Sequence, residues 1–183
     1  MTLTREHLEI QLRKSLEKKQ TAVEASRLTR KRKKEKEIKS FIKGTEKFLE
    51  EPFLIVGAIL YEGEGTKDGS CTFSNSDYRL VEAFLGFLEK YFELDRQRSM
   101  GYRVYVHETR EKDLGRIINF WSLKLEVPKK LIKTTWKRNK IVSRRDNEDY
   151  VGQMAITVHG VSYLTSKLRV LSDIIMRKYC GVV

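Results

Sequence analysis

The apolar residues between positions 80 and 92 recur three or four places apart. This spacing is typical of an amphipathic helix with one buried face. The segment 75–77, Asn-Ser-Asp, precedes it and is a strong N-cap signal. The same spacing predicts one helix over 114–125, which ends before Pro128, and another over 164–175.

Two segments, 102–107 and 151–159, alternate between apolar and polar residues, as half-buried strands do. A further strand is predicted over 70–75. In the last strand, Met154, Ile156 and Val158 share one face, and Gln153, Ala155, Thr157 and His159 share the other. These elements predict a mixed α+β domain in which helices cover one face of a small sheet.

Residues 53–63 are apolar at nearly every position and follow Pro52, which suits a first helical turn. A helix that is apolar nearly all round must be buried on more than one side. It leads into the segment 62–65, Glu-Gly-Glu-Gly, whose last glycine is a natural helix stop.

Residues 1–52 differ from the rest of the chain because charged residues dominate and apolar residues are sparse. They hold 15 Lys+Arg against 9 Asp+Glu, and the run 30–36 has no apolar face. We predict one or two long helices that are poorly anchored to a core. This region is either a solvated helical surface or an arm that lies along a phosphate backbone.

The chain has 183 residues, 40% of them hydrophobic, and a net charge of +12. A protein this basic usually binds a polyanion, and nucleic acid is a commoner partner than a membrane surface or a ribosome. Cys71 and Cys180 form neither a disulfide framework nor a zinc set. The longest apolar run, 53–61, is too short to span a bilayer, and no secretory signal is recognised. We therefore expect a reduced, cytoplasmic protein that contacts no membrane.

Two groups of residues are candidates for contact with nucleic acid. The first is a basic tract without acids over 129–145: Lys129, Lys130, Lys133, Lys137, Arg138, Lys140, Arg144 and Arg145. The second comprises the polar faces of two strands: Arg103, Tyr105 and His107, and Gln153 and Thr157. These residue types read base edges or touch phosphates, although any half-buried sheet also has a polar solvent face.

The segment 57–65, Gly-Ala-Ile-Leu-Tyr-Glu-Gly-Glu-Gly, resembles the signature helix of LAGLIDADG homing endonucleases. Glu62 and Glu64 fall at the two acids of that signature, and Gly63 and Gly65 at its small residue and closing glycine. The resemblance covers about residues 53–178. It implies an α-β-β-α-β-β-α core, here with an inserted helix, over 53–183, preceded by a basic helical arm over 1–52.

The resemblance also implies a function, which is site-specific cleavage of double-stranded DNA by a homodimer. Glu64 and Gly65 would bind Mg²⁺, with Glu64 as the catalytic acid, and Lys67 would contact DNA. Two signature helices would meet at Gly57, Ile59, Leu60 and Gly63, and a symmetric dimer prefers a near-palindromic site. Ile59 departs from the family, which has a small residue there. The supporting basic residue remains open among Lys67, Arg110, Lys112 and Lys167.

Two alternatives share the charge and part of the fold. The first is a regulator with the same fold that binds DNA or RNA without cleaving it. The second is a ribosome- or RNA-associated protein that uses residues 1–52, which would bind without sequence preference and with a steep dependence on salt.

Overall fold

The computed structural model describes residues 5–67, 69–138 and 149–181, with side chains from Ile10 onward. The chain divides into two compact units, residues 1–43 and residues 44–183. The described part of the first unit is helical throughout and belongs to α1 (Arg5–Thr45). Its side chains from Ile10 to Lys33 are exposed, including apolar ones such as Leu12 and Val23. The helix predicted for this region is confirmed.

Within its described residues, the second unit contains four complete α-helices and a four-stranded sheet. Its helices are α2 (Pro52–Glu64), α3 (Tyr78–Phe92), α4 (Leu114–Lys124) and α5 (Leu164–Cys180). Its strands are β1 (Thr72–Asn75), β2 (Met100–His107), β3 (Ile132–Lys137) and β4 (Gln153–Val158). The order across the sheet is β1-β4-β2-β3. β4 is antiparallel to both neighbours, and β2 is parallel to β3.

One face of the sheet forms the core, as the alternation of β2 and β4 predicts. Phe73 of β1 stacks on Phe84 of α3 with ring centroids 4.5 Å apart, and Tyr61 of α2 also stacks on the Phe84 ring, at 5.8 Å. The predicted helices over 80–92, 114–125 and 164–175 are confirmed, each within a few residues at its ends. Asp77 caps α3, because its carboxylate accepts a hydrogen bond from the backbone N–H of Arg79 at 2.9 Å.

The order of the elements differs from the order that the LAGLIDADG resemblance implies. Within the described residues, one strand rather than two lies between α2 and α3, and a single strand separates α3 from α4. The strand β3 was not predicted, because the lysines of the basic tract masked its pattern. Its Ile132, Thr134 and Thr135 are β-branched and therefore favour a strand. The coarse prediction of a mixed α+β fold is confirmed.

The helix α2 is buried on fewer sides than its apolar sequence predicts. Leu54, Ala58 and Tyr61 are fully buried, but Val56 and Ile59 are 48% and 38% exposed. One face of this helix is therefore left uncovered by the described residues. None of the helices in the described ranges is both long enough and apolar enough to cross a bilayer.

Candidate nucleic-acid interface

The face of the sheet opposite the core carries polar and basic side chains, and we call it the open sheet face. Strand register places two to four of its positions on each strand. They are Thr72 and Ser74 of β1; Gln153, Ala155 and Thr157 of β4; Gly101, Arg103, Tyr105 and His107 of β2; and Lys133, Thr135 and Lys137 of β3. Two separate sequence predictions, the polar strand faces and part of the basic tract, therefore meet on one surface.

Hydrogen bonds connect these side chains across neighbouring strands. Arg103 donates to the hydroxyl of Thr135 at 2.8 Å, and Lys137 donates to the amide oxygen of Gln153 at 2.8 Å. The ammonium of Lys137 also lies 5.4 Å from the centre of the Tyr105 ring. These contacts hold the long side chains in defined positions before any ligand binds.

The β1 side of the open sheet face carries neutral donors and acceptors. The Thr72 and Thr157 hydroxyl oxygens are 3.0 Å apart, and Gln153 donates to the Ser74 hydroxyl at 3.4 Å. The sequence analysis did not single out Thr72, Ser74 or Thr135. Alternation along the short strands β1 and β3 could have identified them, because it places them on the same face of the sheet as residues that were already predicted.

The open sheet face is positively charged. Its ionised side chains are Arg103, Lys133 and Lys137, and none of the strand residues that register places there is acidic. Arg103 and Lys133 are exposed. At the end of β2, the Nδ1 atom of His107 lies 3.0 Å from the Thr109 hydroxyl, which orients the ring. The face therefore offers charge for phosphates and polar groups for base edges.

The other residues of the basic tract lie at the ends of β3. Lys129 and Lys130 are exposed in the short 3-10 helix Lys129–Leu131 that precedes the strand. Arg138 follows the strand and lies 3.7 Å from a carboxylate oxygen of Glu108. The predictions for Lys140, Arg144 and Arg145 fall outside the described residues.

The uncovered face of α2 includes two of the four residues predicted at a dimer interface. Ile59 is exposed, and the position that a Cβ atom on Gly63 would take has no neighbouring atom within 4 Å. Leu60 is half-buried beside them. The prediction that Gly57 lies at a dimer interface is wrong, because Gly57 is buried and a Cβ atom there would collide with the Phe87 ring of α3. Its close approach is therefore within the chain and not between two chains.

The end of α2 places Glu64 at the β1 edge of the sheet. Gly65 pairs with Phe73 of β1 in an isolated bridge, and its N–H donates to the Tyr61 carbonyl at 2.8 Å. A Cβ atom on Gly65 would meet the Tyr61 ring and lie 2.6 Å from that carbonyl oxygen, so the turn excludes larger residues. Glu64 itself is exposed.

The buried Tyr61 fixes the turn that follows Glu64. Its hydroxyl donates to the Thr66 carbonyl at 2.5 Å, and burial raises the pKa of the Tyr61 phenol. The phenol therefore stays protonated and able to donate at any physiological pH. The direction in which the chain leaves α2 is set from inside the core.

Lys67 folds back onto the end of α2. Its ammonium donates to the carbonyls of Tyr61 and Glu62 and lies 3.4 Å from a carboxylate oxygen of Glu62. A cation at this end of a helix is favoured by the helix dipole. Among the candidates for the supporting basic residue, Lys67 lies beside Glu62, whereas Arg110 pairs with Asp113 at 3.2 Å.

The described residues contain no group of three or more His, Cys, Asp or Glu side chains placed to hold a metal ion. Comparisons with protein-family models, with curated proteins and with solved structures found no match for this chain.

Proposed function

We propose that this chain binds double-stranded DNA sequence-specifically through its open sheet face and cleaves it as a homodimer of the LAGLIDADG type. The observation that carries the proposal is the single polar surface formed by Arg103, Lys137 and Gln153. A two-stranded or larger β-surface fits the major groove of DNA. Arginine and lysine there pair with guanine, and glutamine pairs with adenine.

The homodimer in this proposal rests on the uncovered face of α2. Val56 and Ile59 leave apolar surface exposed, and the exposed Gly63 would allow a second helix to approach closely. Packing of α2 on its own copy, with the two-fold axis along the helix pair, would bury this stripe and bring two Glu64 residues to the same end of the pair. The target would then be near-palindromic.

Mg²⁺ fits the proposed site only if both copies contribute. Glu64 is an exposed carboxylate, the ligand type that Mg²⁺ prefers, but one such group does not make a site. Bound there, the ion would polarise a scissile phosphate and activate water. Within the chain, Glu64 supplies the ligand, and Gly65 keeps the turn tight enough for the carboxylate to stand at the sheet edge. Lys67 supplies positive charge beside it.

The test uses a randomised duplex DNA library incubated with the protein in Mg²⁺ and, separately, in Ca²⁺. Bound and cut molecules are sequenced separately. Glu64→Gln removes the proposed ligand. Glu62→Gln is the matched control, because Glu62 lies two residues earlier and its carboxylate is paired with Lys67. We expect cut ends in Mg²⁺ that are centred on a near-palindrome, absent with Glu64→Gln and retained with Glu62→Gln.

Three other results contradict parts of the proposal. Enriched but uncut sites, equal for the protein and for Glu64→Gln, would leave a sequence-specific regulator with no catalysis. Sites without two-fold symmetry would argue against the homodimer. Absence of any enriched sequence, with tight binding to a parallel RNA library, would replace the proposal with the RNA-associated alternative.

A further inference from the structure

Six basic residues of the helix α1 share one face that holds no acid, and its other basic residues are spread around the rest of the helix. At 100° per residue, six basic side chains fall within an arc of about 60°. We call this arc the cationic stripe: Lys14, Lys18, Arg32, Lys36, Lys39 and Lys43. Glu17, Glu24 and Glu35 fall together on an adjoining arc of about 20°, and Glu37 falls on the other side of the stripe. The stripe is therefore free of acids along its length.

Small residues occupy the stripe between its two groups of cations. Thr21 and Ala25 lie on this face between Lys18 and Arg32. The Thr21 hydroxyl donates to the Glu17 carbonyl at 2.9 Å, so it is satisfied within the helix. Because these side chains are small, a ligand could approach the helix backbone closely here while the longer basic side chains on either side contact it.

All six side chains of the cationic stripe are exposed. Within the part of the chain that the structure describes, none of them makes a hydrogen bond or an ion pair. The half-buried residues Ile38 and Phe41 lie on the opposite side of the same helix. In this part of α1, the stripe therefore lies on the solvent-exposed side of the helix.

We infer that the cationic stripe is a second nucleic-acid-binding surface, which contacts the phosphate backbone of duplex DNA without reading its sequence. From Lys14 to Lys43 the stripe is about 44 Å long, the length of roughly 13 base pairs. Arg32, Lys36, Lys39 and Lys43 rise along the helix in steps of about 4.5 or 6 Å, so each can meet a separate phosphate.

The chemistry of the stripe favours a duplex over a single strand. Binding of single strands relies on aromatic side chains on which bases stack, and residues 10–40 contain no aromatic residue. The axis of duplex DNA is straight over this distance, as is a continuous helix, so the stripe can lie along the duplex and meet phosphates where the strands cross it. The choice of DNA over RNA rests on the proposed function, whereas the contact with phosphates does not.

The experiment compares two full-length variants with equal loss of charge. The stripe variant carries Arg32→Gln, Lys36→Gln, Lys39→Gln and Lys43→Gln. The control variant carries Arg13→Gln, Lys19→Gln, Arg27→Gln and Lys31→Gln, which are exposed residues outside the stripe on the same helix. Glutamine has a helix propensity close to that of lysine and arginine, so α1 should persist, and circular dichroism checks this.

Affinity for a fluorescent duplex of arbitrary sequence is measured by anisotropy from low to high salt, in EDTA. Each lost phosphate contact reduces the magnitude of the negative slope of log affinity against log salt by about 0.9. We expect the slope to fall by about 3 to 4 for the stripe variant and by less than about 1 for the control. Equal falls in both variants, or no fall in the stripe variant, would overturn the inference, as would a loss seen with duplex RNA alone.

A further arm separates this inference from the proposed function. The stripe variant is taken through the randomised DNA selection, where it should enrich the same sites as the unmodified protein because the stripe reads no bases. If neither protein enriches any sequence but the stripe and control variants still differ in the salt dependence of binding, the proposed function is wrong and the inference about the stripe is supported. If the stripe variant enriches different sites, the stripe reads sequence and the inference is wrong.

Discussion

The ammonium of Lys137 on β3 lies 2.8 Å from the amide oxygen of Gln153 on β4 and thereby reaches across β2, which separates these two strands. The ring of Tyr105 lies beneath the contact. A long lysine side chain normally loses considerable freedom when it binds a ligand. Here part of that freedom is already lost in the free protein, which favours affinity by preorganisation.

Changes to this pair should alter DNA binding more than their charge alone predicts. We expect Lys137→Met and Gln153→Ala each to weaken binding to the selected site about 10- to 100-fold and to relax the preference at one base position. The double variant should lose less than the product of the two effects, because the residues are in contact. Anisotropy on the selected site and on single-base variants measures this.

Lys124→Met is the matched control for that experiment, since it removes one positive charge from helix α4 rather than from the sheet. Its effect should be less than about threefold at physiological salt, where screening limits distant charges. An equal loss from Lys124→Met and Lys137→Met would show that only net charge matters and would contradict a role for the open sheet face in recognition.

The uncovered face of α2 predicts the oligomeric state. Ile59→Asp places a charge on the exposed stripe that we propose to be the dimer interface, so it should yield a monomer without unfolding the chain. Leu123→Asp is the control, because Leu123 is 72% exposed on α4, outside the proposed interface. Sedimentation velocity distinguishes the two. A dimer that survives Ile59→Asp, or one that Leu123→Asp also disrupts, contradicts the proposed packing of α2.

The helices and two long strands were predictable because each carries a full period of apolar residues that the core must bury. The sequence also located most of the open sheet face, since Arg103 and Tyr105 alternate with buried valines. The parallel strand β3 escaped notice because its lysines suggested a solvated tract. Sheet order could not be read either, because pairing between β2 and β3 depends on contacts distant in sequence.

The two glycines of the signature helix show a similar limit. Sequence suggested one role for Gly57 and Gly63, which was close approach of a second helix. In the structure Gly57 receives the Phe87 ring of α3, whereas Gly63 faces open space. Periodicity alone cannot tell which partner a small residue accommodates, since both glycines lie on a helix that is apolar nearly all round.

The two glycines should therefore respond in opposite directions to alanine. Gly57→Ala forces a methyl group into the Phe87 ring, which costs typically about 1 to 3 kcal/mol, only partly offset by the gain in helix propensity of about 1 kcal/mol. Gly63→Ala meets no atom and should be neutral or stabilising by up to about 1 kcal/mol. Urea unfolding in the Ile59→Asp background measures both without a contribution from subunit association. Equal effects would show that Phe87 can move aside.

Arg96 should be important for stability, although nothing in the sequence singled it out. Its guanidinium donates to Glu82 and Glu89 of α3 and to the Leu125 carbonyl after α4, and its side chain is only 15% exposed. The hydrogen bond with Glu89 is the main cause that raises the pKa of Arg96, which therefore stays charged. We expect Arg96→Met to destabilise the chain by about 2 kcal/mol.

Arg79→Met is the comparison for Arg96, because Arg79 also pairs with an acid, Asp77, but its side chain is 75% exposed. Its loss should change stability much less than the loss of Arg96 does, because solvent screens an exposed ion pair. Thermal unfolding of both variants gives the difference. Similar values for the two would mean that the linkage between α3 and the end of α4 contributes little.

The two cysteines should differ sharply in reactivity. Cys71, just before β1, is 4% exposed, and burial raises the pKa of its thiol to about 12. Because only the thiolate reacts, Cys71 should be inert to iodoacetamide at pH 8, while the exposed Cys180 is alkylated. Mass spectrometry should find one modified thiol in the native protein and two in denaturant. With Cys180→Ser, any slow native modification reports local opening of the β1 edge beside Glu64. Rapid modification of Cys71 in that variant would show that this edge, and with it the position of the proposed catalytic acid, is not held closed.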